Sequence, residues 1–471
     1  MRHLGFAMSA DGWASFMQRL VVGGGDGRSA ARFHDGQEQP GSRRRRVYRM
    51  LITWTKLEPL MAFGIILCID ALLGILCLTP VRAMAAILRR MASRRKQPLK
   101  VGEQRDVLVT FLLFSVIVVL HLASLALDVS YSHTYHIIRR QGYFRVFVLF
   151  NIVNVLDRLC SMFGGDLFAS AIETRASRSA TRAACDVALC IAYAVVHVAV
   201  IYAQVVTLNV AVNSDQAELI VILTSSNFSE LKGSVLKKFS VINVFQIAMG
   251  DVVERFQTFA VLLMISAHQF SAMDRADYAE FGGRILLVVV WMSTFEIMVD
   301  WMKHGFINRF NDLSPHIYSE FSAILSHDVI TNPDVIPKRI GLVPLPLASI
   351  IARGVLQILW RKHFRFWMFY THQIRGLSIA CLVLLVSCLL LVKVMLRVLL
   401  IGASTRRMRR YGSSIDAQMW SGVERYKLNT VPAATVIMRI ETKCHAKAFR
   451  SSVSRSTQDE SHFEFEFIRV S

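Results

Sequence analysis

The sequence predicts an all-α fold, a polytopic membrane helix bundle with about seven membrane segments. Three observations carry that expectation. Hydrophobic residues make up 54% of the 471 positions and charged residues only 19%, against about 25% charged in soluble domains. Mean hydropathy is +0.42. The apolar residues also fall in runs near the length of helix, about 20 residues, that crosses a bilayer core.

The segments follow in order. Leu57 to Thr79 is the first; it contains Asp70, and Pro80 ends it. A re-entrant hairpin running on to Leu88 is the alternative, because both flanks are basic. Val107 to Leu127 has no charge and one histidine, His121. Val187 to Val212 is again uncharged, with His197 and Gln204 inside. Phe256 to Met273 is shorter and weaker. Ile285 to Met302 carries Glu296 and Asp300, and Val343 to Trp360 is interrupted by Pro344, Pro346 and Arg353. Gly376 to Ile401 closes the series, with Lys393 and Arg397 where long side chains can snorkel to the interface.

Around these segments the chain divides into three parts. Residues 1–46 form a disordered basic tail ending in Arg43, Arg44, Arg45 and Arg46. Residues 47–401 form the membrane domain, with loops at 128–186, 213–255 and 303–342. Residues 402–471 form a basic, Ser-containing C-terminal tail. No continuous apolar run opens the chain, so no cleavable signal peptide is expected and the first span acts as the insertion signal. Arg145 to Phe163 is a separate case. Asn151, Asn154, Arg158 and Ser161 share one helical face amid apolar neighbours, which suits either an interfacial helix or a helix packed inside the bundle.

Charge and cysteine content exclude several functions. Lys and Arg number 54 against 34 Asp and Glu, a net +20. The basic residues flank apolar runs and no recognition module is visible, so anionic headgroups fit better than nucleic acid. They lie on both sides of the first span, so the positive-inside rule gives no orientation. The 8 cysteines contain no CxxC pair and sit mostly in apolar runs, which points to packing rather than a disulfide framework or zinc site. GxSxG, HExxH, Walker A and Rossmann templates are missing. No catalysis and no cofactor is expected.

The residues with chemical potential are few. Glu296, Asp300 and His304 stand at i, i+4 and i+8 on one helix face, with Lys303 adjacent. Such a stripe is either a polar seam locking helices together or a proton or cation path, with Arg353 as a pairing candidate. The spacing is a weak metal signal. Asp70 is a second intramembrane acid. Asp128, His133 and His136 cluster after the second span, where solvated loop residues are the default and metal binding or lipid chemistry the alternative. Lys232, Lys237 and Lys238 surround an apolar group that includes Phe239, a patch suited to headgroups or to a partner. Asn227-Phe228-Ser229 fits the N-glycosylation sequon.

Several blocks carry a family resemblance. VTLNVAVNSDQAELIVILTSSNFSELKGSVLKKFS (206–240) resembles the central signature of the transmembrane anterior posterior transformation family, also labelled cytomegalovirus receptor-like. LEPLMAFGIILCIDALL (57–73), YHIIRRQGYFRVFVLFNIVNVLDRLCSMFGGDLF (135–168), GDVVERF (250–256), FEIMVDWMKHGFINRFNDLSPHIYSEFSAILSHDV (295–329) and RIGLVPLPLA (339–348) agree, in order. The resemblance implies a multi-pass protein of the endoplasmic reticulum membrane. It implies a scaffold or adaptor that works with a SUN-domain-like membrane partner and supports folding, quality control or trafficking of secretory clients. Independently, the intramembrane acids and proline-broken segments leave a transporter, channel or lipid scramblase as the alternative.

Overall fold

The computed structural model describes residues 42–92, 100–126, 131–174, 180–213, 231, 233, 237–272, 278–367 and 372–414. Every regular element among them is helical. The helices are α1 (Ser42–Leu73), α2 (Thr79–Ala92), α3 (Val101–Ala126), α4 (Tyr131–Arg139), α5 (Tyr143–Thr174) and α6 (Ala180–Val212). They continue with α7 (Val241–Ala272), α8 (Tyr278–Phe310), α9 (Ile317–Thr331), α10 (Ile336–Ile340), α11 (Pro344–Trp367) and α12 (His372–Ser414). The all-α bundle expected from composition is therefore what forms.

Among the described residues, six helical stretches are long and apolar enough to cross a membrane: Val47–Ala92, Val101–Ala123, Phe144–Ala171, Thr181–Val212, Ile285–Phe310 and Leu384–Arg409. A bent pair, Pro333–Ile340 with Pro344–Gln357, turns by 95°, the geometry of a broken span or of a re-entrant loop. The kink has a local cause. Gly341 ends α10 at φ 80, where its N–H reaches Lys338 and Pro337 carbonyls, and Pro344 then opens α11 without needing an N–H partner. The first segment is no hairpin. α1 runs through a π turn at Gly74–Leu78 straight into α2. Its 46 apolar-rich residues reach roughly 70 Å at 1.5 Å per residue, so part of this rod lies beyond a bilayer core of about 30 Å.

The stretch Arg145 to Phe163 belongs to α5, which packs along α6 as an antiparallel pair. The packed reading fits this helix, and its Phe144–Ala171 portion is long enough to span. α7 is the counter-case: it is a full-length helix but does not join the six apolar ones, because Asp251, Glu254 and Arg255 interrupt it. The expected loop at 303–342 is mostly helix, since α8 continues to Phe310 and α9 and α10 follow. Lys303, His304, Asn308, Ser326 and Asp328 are buried in the bundle, which is why hydropathy alone misplaces this stretch. Likewise α1 begins at Ser42 and α12 runs on to Ser414, inside the stretches expected to be tails.

One contiguous core joins α1 and α3–α12. Leu57, Leu60 and Met61 of α1, Val244 and Val252 of α7 and Phe321 of α9 are fully buried in it. α7 lies close to α1 because Gly64 has no side chain; a Cβ there would stand 2.6 Å from Val252 Cγ1. In contrast, Leu384, Leu391, Met395, Val398 and Leu399 of α12 are exposed. Such a face is at home in lipid rather than water.

Candidate functional site

α8 turns Asp300, Lys303, His304 and Asn308 toward α7, α1 and α9, and what they meet there is polar. Lys303 Nζ donates to Asp251 Oδ1 at 2.6 Å and lies 3.3 Å from Asp300 Oδ1. Asp300 Oδ2 accepts from Arg255 Nε at 2.7 Å. The same guanidinium forks onto Glu58 of α1, with both bonds at 3.0 Å. His304 Nε2 is 2.9 Å from Asp251 Oδ2, and its Nδ1 is 3.0 Å from the Tyr318 hydroxyl. Tyr318 donates to Asn308 Oδ1 at 3.1 Å, and Asn308 Nδ2 donates to Thr53 Oγ1 at 3.0 Å. Four helices thus meet in one unbroken network.

The centre of this network is buried. Lys303 and His304 are 0% exposed and Asp251 is 4% exposed. Isolated charges there would cost several kcal/mol each; they persist because every one has an opposite charge and further hydrogen bonds. Tyr318, on α9, stays a phenol: burial pushes its hydroxyl well above the ordinary tyrosine value. The network contains Asp300 and His304 of the expected stripe. Glu296, the third member, sits one turn before Asp300 and bonds to Thr258. Arg353 does not pair with this stripe; it lies on α11 beside Tyr202 of α6. The acids take Arg255 and Lys303 instead. Among the described residues no group of three His, Cys, Asp or Glu side chains is arranged to hold a metal ion.

Asp70 has its own cations. Lys393 Nζ of α12 stands 2.5 Å from Asp70 Oδ1 and 2.6 Å from its carbonyl oxygen, and Arg397 reaches Oδ2 at 3.3 Å. Arg397 also donates to the Val329 carbonyl of α9 at 3.3 Å. Asp328 of α9 is closed by Arg339 of α10. The other candidates are less enclosed. Lys237 and Lys238 are exposed; their segment is tied to the end of α8, because Asn311 Oδ1 accepts from Phe239 N at 2.8 Å. His133 and His136 are exposed. Lys232, Asp128 and Asn227 lie outside the described residues.

Sequence reasoning passed over a second buried histidine site. His197 of α6 places Nε2 at 2.9 Å from Asp157 Oδ1 of α5 and Nδ1 at 2.9 Å from the Tyr193 hydroxyl, which donates to the Cys160 carbonyl at 2.6 Å. Next to it, Gln204 donates to Asn154 at 3.0 Å, and Arg158 pairs with Glu254 of α7 at 2.7 Å. The usable signal was the four-residue step from Tyr193 to His197 on an otherwise apolar helix. Its acid partner is 40 positions away in sequence, beyond the reach of any helical spacing.

Comparison with known proteins places the chain. A family model described as "Eukaryotic membrane protein family" matches residues 99–409. The human transmembrane anterior posterior transformation protein 1 homolog is 33% identical over 385 residues, covering 77% of this chain and 64% of its own length. The mouse protein of that name is 32% identical over 416 residues, covering 83% of this chain and 68% of its own. The zebrafish homolog is 33% identical over 388 residues, 77% and 64% of the two chains. The chain thus spans about two-thirds of the length of these relatives. No solved structure matches. This chain belongs to the eukaryotic membrane protein family whose members include the transmembrane anterior posterior transformation proteins.

Proposed function

We propose that the protein is a non-catalytic scaffold or adaptor of the endoplasmic reticulum membrane that supports folding, quality control or trafficking of secretory clients together with a membrane partner. One observation carries the reading against its rival. The acids that suggest a transport path are closed within the bundle. Asp70 is held by Lys393 and Arg397, Asp300 by Arg255 and Lys303, and Glu296 by Thr258. A transporter, channel or scramblase needs such groups free to exchange partners along a wet route. Groups with fixed ionic partners hold helices in register, which is what a docking platform needs.

The test is affinity purification of the full chain from digitonin with mass spectrometry. A membrane protein recovered in near-stoichiometric amount is the expected result. A chain that purifies alone, from membranes of the endoplasmic reticulum or of any other compartment, contradicts the reading. Substituting Lys237 and Lys238 together with Phe239 would then test the docking surface, since both lysines are exposed just before α7.

A further inference from the structure

Arg353 is a permanent cation in the bundle that no acid answers among the described residues. It sits on α11, partly exposed, with its Nε enclosed and lacking a hydrogen-bond acceptor. A guanidinium keeps its charge and its fork of N–H donors. The group near it is Tyr202 of α6, a phenol rather than a counter-ion. The helices around it supply no free carboxylate. α11 packs on α6 and α3. α11 has no Asp or Glu, α6 has none after Asp186, and α3 has none after Asp106. α1 and α7 also touch α11, but their acids are drawn to other cations: Glu58 to Arg255, Asp70 to Lys393, Asp251 to Lys303 and Glu254 to Arg158.

The level of Arg353 in the bundle decides which anion meets it. α4 joins two stretches that are each long enough to span, Val101–Ala123 and Phe144–Ala171, so it belongs at a bilayer surface. Its side chains suit that place: Ile138 is buried, while His133, His136, Arg139 and the following Arg140 are exposed. Thr134 of α4 bonds to Tyr202, which ties Tyr202, and Arg353 near it, to the same level. The anions found there are lipid phosphates. The face of α11 that carries Arg353 also opens outward. Leu356 and Gln357 follow it by three and four residues, on the same face, and both are exposed, as is Val355.

We infer that Arg353 anchors a binding site for the phosphate of an anionic phospholipid, with the acyl chains lying along Val355 and Leu356. Two oxygens of one phosphate match the guanidinium fork. The exposed apolar residues one turn on are what favour a lipid over free phosphate. The arginines that end α4 add positive field at the headgroup. The site stands whether or not the protein is a scaffold, because it rests on one unanswered charge at the membrane surface.

Native mass spectrometry of the purified full chain tests this, with titration by a phosphatidate, by the diacylglycerol of the same chains and by inorganic phosphate. One phosphatidate should bind first, about tenfold or more tighter than diacylglycerol, and equimolar inorganic phosphate should not displace it. Arg353→Gln should weaken that first phosphatidate about tenfold. Arg353→Lys, which keeps the charge but loses the fork, should fall between. Arg309→Gln removes an exposed cation of α8 and should change nothing. If Arg353→Gln does not fold, Gln357→Glu takes its place. That substitution sets a carboxylate one turn after Arg353, at a position already polar and exposed, and should weaken phosphatidate in the same way. Equal binding of phosphatidate and diacylglycerol overturns the proposal, as does displacement by inorganic phosphate. So does a first phosphatidate held undiminished by the folded Arg353→Gln chain or by the Gln357→Glu chain. A loss that Arg309→Gln reproduces is general charge attraction and overturns it too.

Discussion

Lys303 holds two acids from one nitrogen. It is fully buried and bridges Asp251 and Asp300. Lys303→Met keeps the stem and removes the charge, leaving two acids with fewer cations. Breaking a buried pair from one side costs about 3–5 kcal/mol, so thermal unfolding in detergent should fall sharply. Glu296→Gln should cost clearly less, because Glu296 bonds to the Thr258 hydroxyl and an amide keeps that bond. A near-equal loss in both variants would show that the network is not the keystone drawn above. The residue scale also shows what sequence could reveal. Glu296, Asp300 and His304 were visible as one face because helical spacing puts them there. Asp251, Arg255, Glu58 and Tyr318, which make that face a network, come from three other helices, and nothing in local spacing joins them.

Helices were legible where hydropathy is one-sided and illegible where it is mixed. The uncharged runs that begin at Val107 and Val187 fall in α3, as far as Ala126, and in α6. α7 and the stretch after Met302 were read too short or as loop, since Asp251, Arg255, Lys303 and His304 resemble solvent-facing residues until their partners are known. The close approach of α1 and α7 yields a prediction at this scale. Gly64→Val puts a branched side chain where Val252 already stands. Overpacking typically costs about 1–3 kcal/mol, and Val252→Ala should recover part of it. An additive double variant, each change costing its own amount, would mean that the two helices do not touch there. Between α1 and α12, Asp70→Asn should weaken the joint, and Lys393→Met combined with it should restore more than half of the loss, since an unpaired buried ammonium is the larger penalty.

At the scale of the whole molecule, and among the described residues, Asp70, Asp251 and Asp300 are tied to cations within the bundle, while the apolar face of α12 looks outward. Such an arrangement suits the proposed scaffold, and Lys237 and Lys238 are left exposed. The class of the fold was open to sequence because bilayer thickness imposes a length on apolar runs. The way the acids are closed was not, because it depends on which helices become neighbours. Reconstitution of the purified full chain into liposomes, with ion flux and fluorescent-lipid movement recorded beside Glu296→Gln and Asp300→Asn variants, addresses the matter most directly. Liposomes no more permeable than protein-free ones, before and after substitution, are what a closed scaffold gives. Flux that the unsubstituted chain supports and that either substitution abolishes would make the same acids a pathway and end the scaffold reading.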